Sequence, residues 1–366
     1  MSYENHALEA LPLLEALAKA DPADREVRER LAVSLVSKAA TVSPEEAATV
    51  LRRARSILLD LKKGGKLSDL GEILADGIPP DGGLPTFSTG KDAQAAMKEG
   101  ESAFARRDFD AARRSYRRAL ALDPRLYAAA LFVGDTYFAQ EQLAEARTWF
   151  SRAVLIDPDQ ATAYRYLGDA QMKGRNMISA RVSYLDAVVA EPYTQRPWLS
   201  LARWAKENGV KAGHPRIAPE GLEDGPDAGK AAKDPGKADD GRSHWRRYAE
   251  TRAAWAKGRF KKTFPLEAAY RHSLAEESDA LRQVARAIAA DVKAGKIKAP
   301  DSSFANLLKL DAEGLLDAYV LYARTDQGIA EDYAAYRSAH RDELRRYLSE
   351  YVAPIKDGGP PAPGSR

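Results

Sequence analysis

Cysteine is missing from all 366 residues. Disulfide staples, cysteine nucleophiles and zinc–thiolate sites are therefore excluded. No charge-free apolar run of about 18 residues occurs, so no membrane span is expected. The N-terminus, MSYENHALEALPLLEALAKADPADRE, lacks a basic leader before an apolar core. It carries Glu4, Glu9 and Glu15 and reads as an amphipathic helix rather than a signal peptide. Histidine is scarce: His6, His214, His244, His272 and His340, with no HExxH among them. His272 and Glu276, with His340, form one candidate metal trio, although a histidine–glutamate pair on a helix surface is far commoner. Phosphate loops, GxSxG elbows and dinucleotide fingerprints are also missing. The expectation is no catalysis, no metal and no cofactor. The formal net charge of +3 is too small to argue for nucleic acid by itself.

What is present is an ordinary globular balance, 45% hydrophobic and 30% charged. Nearly every structured stretch has helical periodicity, so the fold class is all-α. Six segments are expected. Residues 1–75 hold three or four helices, one started by Ser43, Pro44 and Glu46 and ended by Gly64 and Gly65. Residues 76–91, rich in proline and glycine, read as a linker. Residues 92–208 carry repeats. Residues 209–243 read as a flexible linker, nearly devoid of large apolar residues after Leu222. Residues 244–353 form a C-terminal helical domain, and 354–366 a flexible tail.

Self-similarity decides the reading. Pro124, Pro158 and Pro192 recur every 34 residues, each after an acid: Asp123, Asp157, Glu191. In the same register stand Gly100, Gly134 and Gly168, then Ala112, Ala146 and Ala180. Tyr116, Phe150 and Tyr184 follow, then Ala119, Ala153 and Ala187. The glycine and first alanine allow two helices to cross closely, the aromatic fills space between hairpins, and the proline ends the second helix. One such hairpin cannot bury its apolar face alone, so neighbours stack.

These residues resemble the tetratricopeptide repeat family. The second copy adds Val133 and Tyr137 and the third adds Tyr164 and Leu167, while Gln171 departs from the family tyrosine. The first copy has Ala96, Glu99 and Ala103, the weakest match, so its first helix is expected to be partly exposed. Trp198, Leu201 and Ala202 start a fourth first helix that caps the stack. In the N-terminal region, Ala10, Leu14, Leu17 and Pro22, then Leu31, Ala32 and Leu35, admit a divergent repeat pair. An insertion at Val42–Glu46 equally admits a plain helical region.

The resemblance implies protein binding on a concave face lined by the first helices. The candidate contact residues are Met97, Glu101 and Phe104, then Leu131, Asp135 and Phe138. Arg165, Asp169 and Met172 continue the face, and Arg203 comes from the cap. Glu101, Asp135 and Asp169 make an acidic ladder beside Phe104, Phe138 and Met172. The expected partner is a protein or peptide with basic and apolar side chains. The family's lysine–asparagine clamp for a terminal carboxylate is not expected, because Met97, Glu101, Leu131 and Asp135 stand where it would be needed. The expected role is a cytoplasmic adaptor or scaffold. The alternative is an autoinhibited scaffold whose C-terminal domain masks the groove.

The stretch His244–Pro265 interleaves basic residues with Trp245, Tyr248, Trp255, Phe260 and Phe264. Nucleic acid or an acidic membrane could use such a pattern. Trp245, Tyr248, Trp255 and Ala256 fit one core-facing stripe with arginines snorkelling outward, and that reading is preferred, with neither nucleic acid nor membrane as partner. Leu315, Tyr319 and Tyr322 share one further face. Tyr333, Tyr336, Leu344, Tyr347 and Tyr351 share another, with tyrosine hydroxyls expected at the surface.

Overall fold

The computed structural model describes residues 3–39, 42, 44–78, 80, 90–217 and 244–355. Among these residues all regular structure is helical, and the repeats are helical hairpins. No helix among them is long and apolar enough to cross a membrane. The chain forms two compact units, Met1–Arg175 with Thr194–Leu199, and Asn176–Tyr193 with Ser200–Arg366.

The first unit begins with α1 (Tyr3–Ala20), α2 (Arg25–Ala39), α3 (Pro44–Lys63) and α4 (Asp69–Gly77). Their core holds Leu14, Leu31, Ala32, Leu35, Ala54 and Leu58. Leu17, expected on the same face as Leu14, is instead 43% exposed. Pro44 opens α3 as expected, whereas Ser43 lies outside the described residues. Ser68 caps α4 by accepting the Gly71 N–H at 3.0 Å.

The hairpins follow: α5 (Lys91–Ala105) with α6 (Phe109–Leu122), then α7 (Tyr127–Ala139) with α8 (Leu143–Ile156), then α9 (Ala161–Lys173). Ala112, Ala119, Ala146 and Ala153 are fully buried. The reason for the glycines is steric. A Cβ at Gly100 would sit 2.3 Å from the Tyr116 ring, and one at Gly134 would sit 2.5 Å from the Phe150 ring. Each aromatic then meets the next hairpin edge-on: Tyr116 to Phe132 at 5.5 Å and Phe150 to Tyr166 at 5.6 Å. The first copy is better seated than its sequence suggests. Ala96 and Met97 are wholly buried and Ala103 nearly so, because small residues let α5 approach α6 and Met97 fills the remaining space.

A second 34-residue repeat appears in the backbone. Arg107, Glu141 and Arg175 all adopt positive φ, at 63°, 61° and 58°. They end the first helices with a left-handed residue. The 6→1 bonds Asp108 N–H to Ala103 O and Gln142 N–H to Tyr137 O close the first two turns.

The second unit contains α10 (Met177–Ala190), the later part of α11 (Gln195–Glu207), α12 (Trp245–Ala254) and α13 (Phe260–Thr263). It continues with α14 (Leu274–Lys293), α15 (Ser302–Ala312), α16 (Leu316–Ala323), α17 (Gln327–Glu331) and α18 (Tyr333–Tyr347). The second helix of the third copy is thus grouped with the C-terminal helices. Arg181 of α10 donates to the carbonyls of Ala353 at 2.9 Å and Ser349 at 2.6 Å. Arg345 pairs with Asp186 at 2.5 Å, and the Tyr333 hydroxyl donates to Val189 O at 2.7 Å. The segment from Gly209 to Ile217, expected to be flexible, is fixed to this unit. Gly213 N–H bonds Val352 O at 2.9 Å, Arg324 donates to Ile217 O, and Ile217 is buried. Residues 218–243 and 356–366 lie outside the described residues.

Two further expectations change here. A wide helical turn at Trp255–Arg259 shifts the register after α12, so Trp255 is buried and Ala256 exposed. Two tyrosine hydroxyls turn inward rather than to the surface: Tyr322 to the Tyr333 hydroxyl, and Tyr333 to Val189 O. The metal trio does not assemble. His272 bonds Glu277 and Asp326, while His340 bonds Glu343. Among the described residues no group suited to a metal ion forms.

The second unit is centred on buried charge. Glu276 and Glu277 open α14 almost completely buried. Tyr248 donates to Glu277 at 2.6 Å, His272 lies 3.1 Å away, and Arg324 pairs with it directly. Arg252 donates to Glu276 at 3.1 Å. Burial alone would raise the Glu277 carboxyl, but the bonds from His272 and Tyr248 and the Arg324 charge outweigh it and hold the pKa at about 2.

Two stability tests follow from this packing. Gly134→Leu should lower stability by at least about 1–3 kcal/mol, because the new side chain collides with Phe150. An unchanged thermal midpoint would mean that the two helices do not cross there. Glu277→Gln should cost up to about 3–5 kcal/mol by leaving the half-buried Arg324 without its counter-charge. Denaturant titration of the full chain reads this loss.

Candidate functional site

The site grows from an offset of one residue. Each repeat glycine is followed directly by an acid: Glu101, Asp135 and Asp169. Because the glycine receives an aromatic ring, the acid after it emerges at the rim of that ring. The Tyr116 hydroxyl accordingly donates to Glu101.

Around the next rung a pocket of about 110 Å³ opens, lined by Asp135, Phe138, Phe150, Tyr166 and Asp169. Phe138 lies 6.4 Å from Phe150, ring to ring. Two carboxylates and three aromatic rings thus line one pocket. The Asp135 pKa is pushed up to about 7, first by burial and then by the negative charge of Glu101. Burial, with the charges of Asp135 and Asp169, also raises the Tyr166 hydroxyl against the lowering effect of Arg165 and Arg196. Such a place favours a cation, while its rings favour an apolar contact.

The predicted contact residues divide. Asp135, Phe138 and Asp169 meet in the pocket. Glu101 is exposed and acts on Asp135 through its charge. Phe104 is half-buried against Phe109 at 5.4 Å, away from the pocket lining. Met172 is half-buried. Met97 and Leu131 are buried in the hydrophobic core. Arg165, at the same repeat position, lies 5.7 Å from the Tyr166 ring. Arg203 belongs to the second unit, where it donates to the Tyr184 hydroxyl at 3.0 Å.

Two lining residues were not foreseen as contacts. The repeat pattern gives Phe150 the role of hairpin filler and gives Tyr166 none. Tyr166 had a signal: it stands 34 residues after Phe132, and each closes on the aromatic of the preceding hairpin.

Residues 97–161 match the family model described as tetratricopeptide repeat. The comparison with curated proteins returned no match. Among solved structures, the chain is similar to the Arabidopsis OM64 TPR domain, with 19% identity over 32% of this chain and 96% of that one, TM-score 0.30. It is similar to the first TPR of Spaghetti (RPAP3) bound to the HSP90 peptide SRMEEVD, with 20% identity over 32% and 94%, TM-score 0.30. It is also similar to the MamA protein, with 15% identity over 65% and 98%, TM-score 0.29.

The pocket electrostatics make a pH prediction. Asp135 holds its proton more tightly folded, at about 7, than at its ordinary value of 3.8. Its contribution to stability is therefore fully present below about 3.8 and is lost as pH rises through about 7. Asp135→Asn should be more stable than the parent near pH 8, by on the order of 1–3 kcal/mol, and this advantage should shrink towards pH 4. Denaturation midpoints at the two pH values measure it.

Proposed function

We propose, from the premise that residues 97–161 are tetratricopeptide repeats, that this chain is an interaction adaptor whose pocketed track holds a segment of another protein. The observation that carries this reading is the pairing of Asp135 and Asp169 with Phe138, Phe150 and Tyr166 in one pocket. An apolar side chain entering the pocket gains buried contact, and a lysine or arginine beside it meets the carboxylates. The apolar anchor supplies most of the affinity, and the acids set register and encounter rate. A partner segment of basic and apolar composition fits both demands. The Glu101 charge extends the same preference along the track.

The test uses full-length protein and fluorescent synthetic peptides that combine leucine or phenylalanine with either lysine and arginine or with glutamate. The basic set should bind and the acidic set should not. Binding should strengthen from about pH 6 to about pH 8, because a cation needs Asp135 ionised and displaces its proton. Phe138→Ala should speed dissociation, whereas Asp135→Lys with Asp169→Lys should slow association and abolish its salt dependence. Equal binding of acidic peptides, or indifference to both variants, would remove the groove as the binding site.

A further inference from the structure

A lone exposed leucine is ordinary on a protein surface. Leu266 differs in how it is held. It is 99% exposed at the apex of a turn in the second unit. The Lys261 ammonium donates to the carbonyls on either side of it, Pro265 O at 3.1 Å and Glu267 O at 2.9 Å. Glu267 N–H bonds Phe264 O at 3.2 Å and closes the turn. Pro265 occupies the position where its fixed φ suits such a turn. The Glu267 carboxylate receives two bonds from Arg271, each 2.9 Å. Arg271 is anchored in turn to Gly328 O at 2.7 Å and Asp332 at 2.6 Å. Phe264 rests on Phe260 at 5.0 Å. The leucine is thus presented on a braced support, and docking it orders nothing further in the backbone, which is the energetic advantage of preorganisation.

Its surroundings give the sign of the partner. Lys257, Lys261 and Lys262 are exposed on the short helical stretch that carries the turn. A matching receptor needs an apolar pocket of side-chain size with an acidic rim. The first unit contains a pocket of about 110 Å³ that combines both, lined by Phe138, Phe150 and Tyr166 with Asp135 and Asp169. Cavities of about 150 Å³ admit benzene, so this volume suits a branched aliphatic side chain.

We propose that Leu266 of one copy inserts into the Asp135–Asp169 pocket of a second copy, with the exposed Lys257 and Lys262 facing the acidic track. This inference rests on the groove reading above and names its occupant. Knob and pocket are different surfaces of one chain, so the contact is head-to-tail and adds copies one after another unless a ring closes.

Sedimentation velocity on the full chain tests it. The mean mass of the parent protein should rise with concentration and fall in high salt. Leu266→Asp should stay monomeric, and at a fully exposed position it leaves the fold intact. Asp135→Lys with Asp169→Lys should also stay monomeric, with circular dichroism confirming that it is folded. An equal mixture of the two should yield a heterodimer and nothing larger, because each pair retains one intact knob and one intact pocket. A parent protein that stays monomeric at its highest soluble concentration, or a Leu266→Asp variant that associates like the parent, overturns the proposal. If basic peptides still bind the groove of such a monomer, only the occupant is wrong. If they do not, the groove reading fails with it.

Discussion

The contact between a repeat glycine and the aromatic ring of its partner helix is the constraint on which the first unit depends. With no Cβ at Gly134, the Phe150 ring lies directly against the backbone of α7. That closeness sets the crossing of α7 with α8 and pushes the far edge of Phe150 towards Tyr166 of the next hairpin. The same ring is then both the filler between hairpins and part of the pocket lining. Fold and site are not separate features here. Enlarging the glycine would displace the ring, open the crossing and disrupt the lining together.

Much of this arrangement is legible in the sequence, because repetition supplies an internal alignment. The glycine, alanine, aromatic and proline positions recur at fixed spacing, and each has a steric reason. The acidic ladder was legible for the same reason. What a helical period cannot separate is the boundary between core and groove. Met97 and Leu131 sit at one repeat position, on the flank that turns inward, and both are buried. Their apolar character was the clue, and Arg165 at the same position of the third copy obscured it. The left-handed turns at Arg107, Glu141 and Arg175 gave no signal, since none is glycine and hydrogen bonding across the turn overrides local preference.

The second unit was less legible because its order comes from long-range pairing rather than repetition. Composition made residues after Gly209 look unstructured, yet a single buried Ile217 with backbone bonds to Gly213 and Ile217 holds the first stretch. One widened turn at Trp255–Arg259 moved Ala256 off the stripe that simple periodicity assigned to it. Tyrosines expected to carry their hydroxyls to water instead satisfy carbonyls of buried backbone, as Tyr333 does for Val189. Buried polar groups must find partners, and sequence spacing does not reveal which partners they find.

The two units also treat a buried carboxylate in opposite ways, and the contrast bears on function. Glu277 is buried among donors and cations, and its pKa falls to about 2. Asp186 is raised by burial, against the lowering effect of Arg345, which pairs with it at 2.5 Å. These acids are structural: each is matched within its own unit. Asp135 is desolvated beside another acid, Glu101, and rises to about 7. Keeping it ionised above that pH works against folding, and a neutral residue would remove the penalty. Among the described residues no cation is paired with Asp135. Carboxylates left in this state concentrate where a protein meets something outside itself. On the proposed reading, a cation arriving at Asp135 would relieve a cost that the folded chain bears above about pH 7.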